Sequence, residues 1–234
     1  MPGQDEKKVI GVDCPLDSGD NRISQFMCEA RTKAGGLYDQ IDAGKQYHVT
    51  RLLKPTLNDL QQAVYDPSVV FVTASGHGTS DGIGFVRNMS EDLLHSGTGF
   101  YDRKAFNHKI VHLFACDTAK NLGPDLVGPD INDLTGASAF FGYNADFSFA
   151  QNYAQDSTLA GQFVDCDSAI DLALANGATV QQAFDAAANA FKSLIDKWQL
   201  QSDLKALASL LQQDLRSLSL GIYDTAGAIW TTAS

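Results

Sequence analysis

Short β-branched apolar runs alternate with amphipathic stretches along most of this chain, a pattern that predicts a mostly parallel sheet wrapped by helices. Val9-Ile10-Gly11-Val12 reads as a first strand ending at Asp13, and residues 22–33 as a helix reached through the polar loop 17–21. Residues 47–53 form a second strand. Pro55-Thr56 then opens a helix with Leu57, Leu60 and Val64 on one face, and Asp66-Pro67 closes it. Residues 69–74 and 110–115 are near-continuous apolar runs, as buried parallel strands require. The polar stretch between them, from about 79 to 107, carries Gly82, Gly84, Gly97 and Gly99 and reads as a mobile substrate-binding or regulatory insertion.

Residues 123–127 predict a short helix and 136–143 a fifth strand. A capping box, Thr179-x-x-Gln182, opens a helix with Val180, Phe184, Ala187, Phe191, Leu194 and Trp198 at helical spacing. A last helix starts near 202 with Leu204, Leu207, Leu211 and Leu215 in one stripe, and 221–232 reads as a terminal strand or hairpin. With no internal repeat or low-complexity linker, the 234 residues read as one doubly wound α/β domain. Its core is expected over about 8–198, followed by a C-terminal helix and terminal strand or hairpin over 199–234.

Composition narrows the function. A formal net charge of −11 disfavours nucleic acid and anionic membrane surfaces as partners. The first eight residues mix Asp, Glu and Lys and do not resemble a signal peptide, and no apolar run reaches membrane-span length. The four cysteines show no C-x-x-C spacing, so neither a metal site nor a disulfide framework is expected, and a reducing, cytoplasmic setting is the simplest inference. No glycine-rich nucleotide loop follows a strand, so no cofactor is expected.

The chemistry sits at two strand ends. The third strand runs into Ser75-Gly76-His77-Gly78 and the fourth into Cys116-Asp117. Functional groups of open α/β sheets lie beyond the carboxyl ends of the strands, and a base beside a thiol is what nucleophilic cysteine catalysis needs. All five histidines precede Cys116, which excludes every arrangement whose base lies downstream of the nucleophile. His77 is the best-placed base. His108 and His112 are four apart, which would suit a metal only on a helix; on a strand they read as structural. Cys14, Cys28 and Cys166 read as packing residues.

A strand ending in His-Gly followed by a strand ending in Ala-Cys, 116 − 77 = 39 residues apart, resembles the caspase-like cysteine peptidases over roughly residues 8–149. The segment Leu113-Phe114-Ala115-Cys116-Asp117-Thr118-Ala119 looks most like that of the prokaryotic, gingipain, legumain and CHAT-type members. The resemblance implies a three-layer α/β/α sandwich and a peptidase acting on a protein or peptide substrate. Cys116 matches the nucleophile and His77 the general base, while the amides of Gly78 and Cys116 match the oxyanion hole. Asp13 is the candidate to orient His77. The segments that line the specificity pocket in this superfamily hold Asp117, Asp146 and Arg22 here. Two carboxylates favour a basic residue before the scissile bond, whereas an inward Arg22 favours an acidic one. Metacaspases and clostripain carry an Asp immediately upstream of the nucleophile; this chain has Phe114-Ala115.

Other functions stay open beside the active peptidase. The same fold can serve as an effector that is silent until an activating partner or self-cleavage, for instance at Arg103-Lys104, orders the 79–107 stretch. It can also serve as a non-catalytic interaction module, which the intact His77, Gly78 and Cys116 argue against. A ligand-binding doubly wound domain is the most distant alternative.

Overall fold

The computed structural model describes residues 6–13, 22–84, 92–97, 99–127, 136–148, 157–224 and 227–234. In chain order the elements are β1 (Lys7–Asp13), α1 (Arg22–Thr32), α2 (Leu37–Ala43), β2 (Tyr47–Leu53), α3 (Leu57–Val64) and β3 (Val69–Ser75). Then come β4 (His77–Gly78), β5 (Gly82–Gly84), β6 (Asp92–His95), β7 (Ile110–Phe114), α4 (Leu122–Val127) and β8 (Ala139–Tyr143). The chain ends with α5 (Ser157–Ala175), α6 (Val180–Gln199), α7 (Lys205–Ser217), β9 (Leu218–Asp224) and β10 (Gly227–Thr232).

The central sheet has the order β10-β9-β8-β7-β3-β1-β2. β2, β1, β3, β7 and β8 are parallel to their neighbours, and the β9–β10 hairpin adds antiparallel to β8. Alternate residues of each strand bury into opposite cores. Phe71, Phe114, Phe141 and Tyr143 pack with α1, α2, α5, α6 and α7; Val72, Val111, Leu113 and Phe140 pack with α3, α4 and Ile83, Leu93, Leu94, Tyr101, Ala105 and Phe106. Two apolar layers on either side of one sheet make the fold a three-layer α/β/α sandwich with a doubly wound, mostly parallel sheet.

Several elements differ from the sequence expectation. The third strand stops at Ser75, and His77 belongs to a separate three-stranded antiparallel sheet, β4-β5-β6. The 79–107 stretch is therefore built structure where described: Ile83, Leu93, Leu94 and Phe106 are buried in the second core. Residues 85–91 lie outside the described part. The core extends past residue 198, because β9 and β10 complete the central sheet and Leu207, Leu211 and Leu215 belong to the first core. α2 and the 19-residue α5 were not expected. In α5 the apolar period is broken by Asp167 and Asp171, which point inward and are fully buried.

Those two aspartates anchor a buried polar network. His112 Nδ1 lies 2.9 Å from Asp171 and Nε2 lies 3.2 Å from Asp167, which also accepts from Tyr143 Oη at 2.7 Å. Thr73 donates to Asp171 at 2.8 Å and accepts from Arg31 at the same distance. Arg31 reaches Tyr38, and Tyr38 donates to Asp13 at 2.8 Å. Burial opposes charge on His112, but Asp171 and Asp167 outweigh it and push its pKa up to about 10. His112 is thus the cation that makes two buried carboxylates tolerable. The network ties α1, α2 and α5 to four strands of the sheet.

Candidate active site

Strand register sets the site. β3 and β7 pair in parallel with Ser75 opposite Phe114, so His77 and Cys116 each lie two residues past the last matched pair. Beyond Ser75 the Gly76 amide reaches back to the Phe114 carbonyl at 3.4 Å, and the chain enters β4. There the backbone of Gly78 lies against that of Cys116. A Cβ built on Gly78 would stand 2.0 Å from the Cys116 carbonyl oxygen and 2.7 Å from its amide nitrogen. No side chain fits at such a distance from backbone atoms, so glycine is required.

Cys116 is half-buried, and the Phe147 amide donates to its Sγ at 3.3 Å. That amide is held by its own side chain: the Phe147 ring meets Phe114 and Tyr143 edge-on, both at 4.8 Å between centroids. Burial raises the Cys116 pKa. The Phe147 amide opposes the rise, while Asp146 and Asp117 add to it; Asp214 adds to it where it is itself ionised. At rest the thiol keeps its proton and needs a base to become a nucleophile.

Asp117, the residue after Cys116, lines a cavity of about 630 Å³ together with Lys120, Asn144, Asp146, Ser148 and Arg216 among others. Asp117 adopts a left-handed backbone (φ 57°), a conformation rare for a residue with a Cβ, and its amide donates to the Ala145 carbonyl at 3.1 Å. Lys120 Nζ lies 2.6 Å from Asp117 Oδ1. Next to the cavity, Asp214 on α7 is fully buried and accepts from the Ser148 amide at 2.7 Å. Burial, which this single amide does not offset, holds its carboxyl well above the usual range. Residues 147 and 148 are thus pinned by adjacent amides, one to the thiol and one to Asp214.

The expected site residues separate into groups. Gly78 and Cys116 meet, and His77 directly precedes Gly78. Asp117 and Asp146 line one cavity. Asp13 is spoken for: Tyr38 and Ser75 donate to its two oxygens, and Arg31 Nε lies 3.4 Å from one of them. Its place is in the buried network, supporting the end of β3 through Ser75. The side chain of Arg22 lies outside the described residues, as does Cys14. Cys28 and Cys166 are buried, and desolvation pushes their thiols up to about 11 and about 12. Phe147, Lys120 and Asp214 escaped sequence reasoning. Phe147 could have been suspected as an aromatic four residues past the fifth strand; nothing local marks Asp214. Among the described residues no cluster of three His, Cys, Asp or Glu side chains could hold a metal ion, and no helix is long and apolar enough to cross a membrane.

The sequence matches no known family model and no curated protein. Among solved structures, the chain is similar to the Arg-specific cysteine proteinase gingipain R, at 11% identity and a TM-score of 0.48 over 91% of this chain. The chain spans 45% of that proteinase's length. A weaker similarity is to O-acetylhomoserine sulfhydrylase of Wolinella succinogenes, at 10% identity and a TM-score of 0.27, over 92% of this chain and 66% of that one. At these scores neither similarity bears on the chemistry of the site.

Proposed function

We propose that this chain is a caspase-like cysteine endopeptidase in which Cys116 is the nucleophile and His77 the general base. The observation that carries the reading is the backbone contact between Gly78 and Cys116, which joins the two strand ends that resemble the family's His-Gly and Ala-Cys motifs. His77 takes the thiol proton, and the thiolate adds to the scissile carbonyl carbon. The amides of Gly78 and Cys116 receive the developing oxyanion, an interaction worth several kcal/mol in acyl transfer. Collapse breaks the C–N bond, with His77 returning the proton to the leaving amine. A water deprotonated by His77 then hydrolyses the thioester, releasing the acid and restoring the thiol.

Asp117 and Asp146 favour a basic side chain before the scissile bond, because a guanidinium or ammonium in their cavity gains charge-assisted hydrogen bonds. The raised Cys116 thiol also supports a regulated form of the same enzyme, nearly silent until substrate or an activating partner alters the site. Intact-mass analysis after exposure to peptidyl acyloxymethyl ketones tests the reading. An adduct is expected on Cys116, slowed strongly by His77→Ala and formed faster with Arg or Lys than with Asp at the first position. Labelling indifferent to His77 would remove the dyad.

A further inference from the structure

Lys120 lies three residues after Asp117 in the turn that precedes α4, and its ammonium lies 2.6 Å from the Asp117 carboxylate on the wall of the cavity that both residues line. A basic substrate side chain entering that cavity meets a carboxylate already neutralised by the chain itself. We propose that Lys120 is a resident cation that competes with the substrate for Asp117 and so sets the threshold for accepting a basic residue. This rests on the peptidase reading and names a specificity-determining residue within it.

Two observations support the competition. The pair is local and solvated at its ammonium end, with side-chain exposures of 48% for Lys120 and 22% for Asp117, while the Asp117 Oδ1 that faces the ammonium is itself buried. Pairs of this kind contribute little and break readily, so an incoming cation can displace the ammonium. The backbone holds Asp117 in place through its amide bond to Ala145 and its left-handed conformation, whereas Lys120 swings on a flexible stem. A planar guanidinium can engage the carboxylate with two parallel hydrogen bonds, which an ammonium cannot, so displacement favours Arg over Lys. A small or neutral side chain leaves the pair closed. Arg216 lines the same cavity, and no direct contact joins it to Asp117 among those observed in the described residues, so its substitution reports the general loss of positive charge.

The test measures binding of benzamidine, a guanidinium-like cation, by titration calorimetry, and hydrolysis of peptides with Arg, Lys or Gln before the scissile bond. Both use wild type, Lys120→Met, Arg216→Met, Asp117→Asn and the Lys120→Met/Asp117→Asn pair. Lys120→Met is expected to tighten benzamidine about two- to fivefold, the scale of a partly exposed ion pair. It should raise kcat/KM for Arg by a similar factor through KM, with Gln unchanged. Arg216→Met should do less, and the gain should vanish on the Asp117→Asn background. Equal gains from Lys120→Met and Arg216→Met, or a gain that survives Asp117→Asn, would overturn the competition. Calorimetry separates this from the larger reading. Tighter benzamidine without hydrolysis by any variant would retain the cation competition and sink the peptidase; hydrolysis without a Lys120 effect would do the reverse.

Discussion

Gly78 and Cys116 touch through their backbones, leaving no room for even one methyl group on Gly78. The contact joins two separate sheets, since Gly78 lies on β4 of the small sheet and Cys116 just past β7 of the large one. It is therefore the hinge of the proposed chemistry. Gly78→Ala must push β4 away from residue 116. The expected cost is about 1–3 kcal/mol of stability, with peptidase activity reduced at least about a hundredfold, on the scale of losing an oxyanion donor. Urea unfolding and peptide hydrolysis on the same sample measure the two effects.

Cysteine alkylation should report the ionisation order of the thiols. Because the Cys116 pKa is raised, its reaction with iodoacetamide should climb with pH through and above 9, with no plateau between pH 6 and 8. Cys28 and Cys166, at about 11 and about 12 and buried, should react later. Mass spectrometry of peptides from timed reactions at pH 6 to 10 gives the three profiles. A plateau for Cys116 by pH 7 would mean that the resting thiol is already ionised.

His112→Asn should destabilise the fold by about 3–5 kcal/mol at pH 6, because Asp167 and Asp171 lose the cation between them. The sign of the pH effect follows from a folded pKa of about 10, above the ordinary value of a free histidine. Charged His112 contributes its full stability below about pH 6.5, and the contribution is lost as pH rises toward 10. Urea midpoints should therefore fall for wild type between pH 7 and 9.5 and fall less for the variant.

Asp214 tests a buried neutral carboxyl. With its pKa well above the usual range, Asp214→Asn keeps both the neutral state and an acceptor for the Ser148 amide, so stability should change by less than about 1 kcal/mol. Asp214→Ala orphans that amide and should cost about 1–3 kcal/mol. A large loss in the asparagine variant would mean that Asp214 is charged. Thermal unfolding of the three proteins decides between these outcomes.

Apolar runs and their ends were readable because they obey local rules. The run at β3 and the run at β7 are each near-continuous, and their register follows from parallel pairing, so a His-Gly and a Cys at one sheet edge could be anticipated. Thr56 and Thr179 cap their helices with the reciprocal bonds that the sequence spacing suggests. What stayed hidden depends on distant partners. α5 lacks a clean apolar stripe because Asp167 and Asp171 face His112 on a strand more than 50 residues away in sequence. Asp13 reads as a strand-end carboxylate, yet its neighbours Tyr38, Ser75 and Arg31 come from three other segments. Lys120 could be linked to Asp117 only in the structure, where the two side chains pair and both residues line one cavity.

Hydrolysis of fluorogenic peptides varied at the residue before the scissile bond, by wild type and Cys116→Ala in parallel, decides whether Cys116 is a peptidase nucleophile. Wild type is expected to cleave after Arg or Lys and the variant not at all. Cleavage that persists in Cys116→Ala, or its absence from both proteins across the panel, would contradict that role.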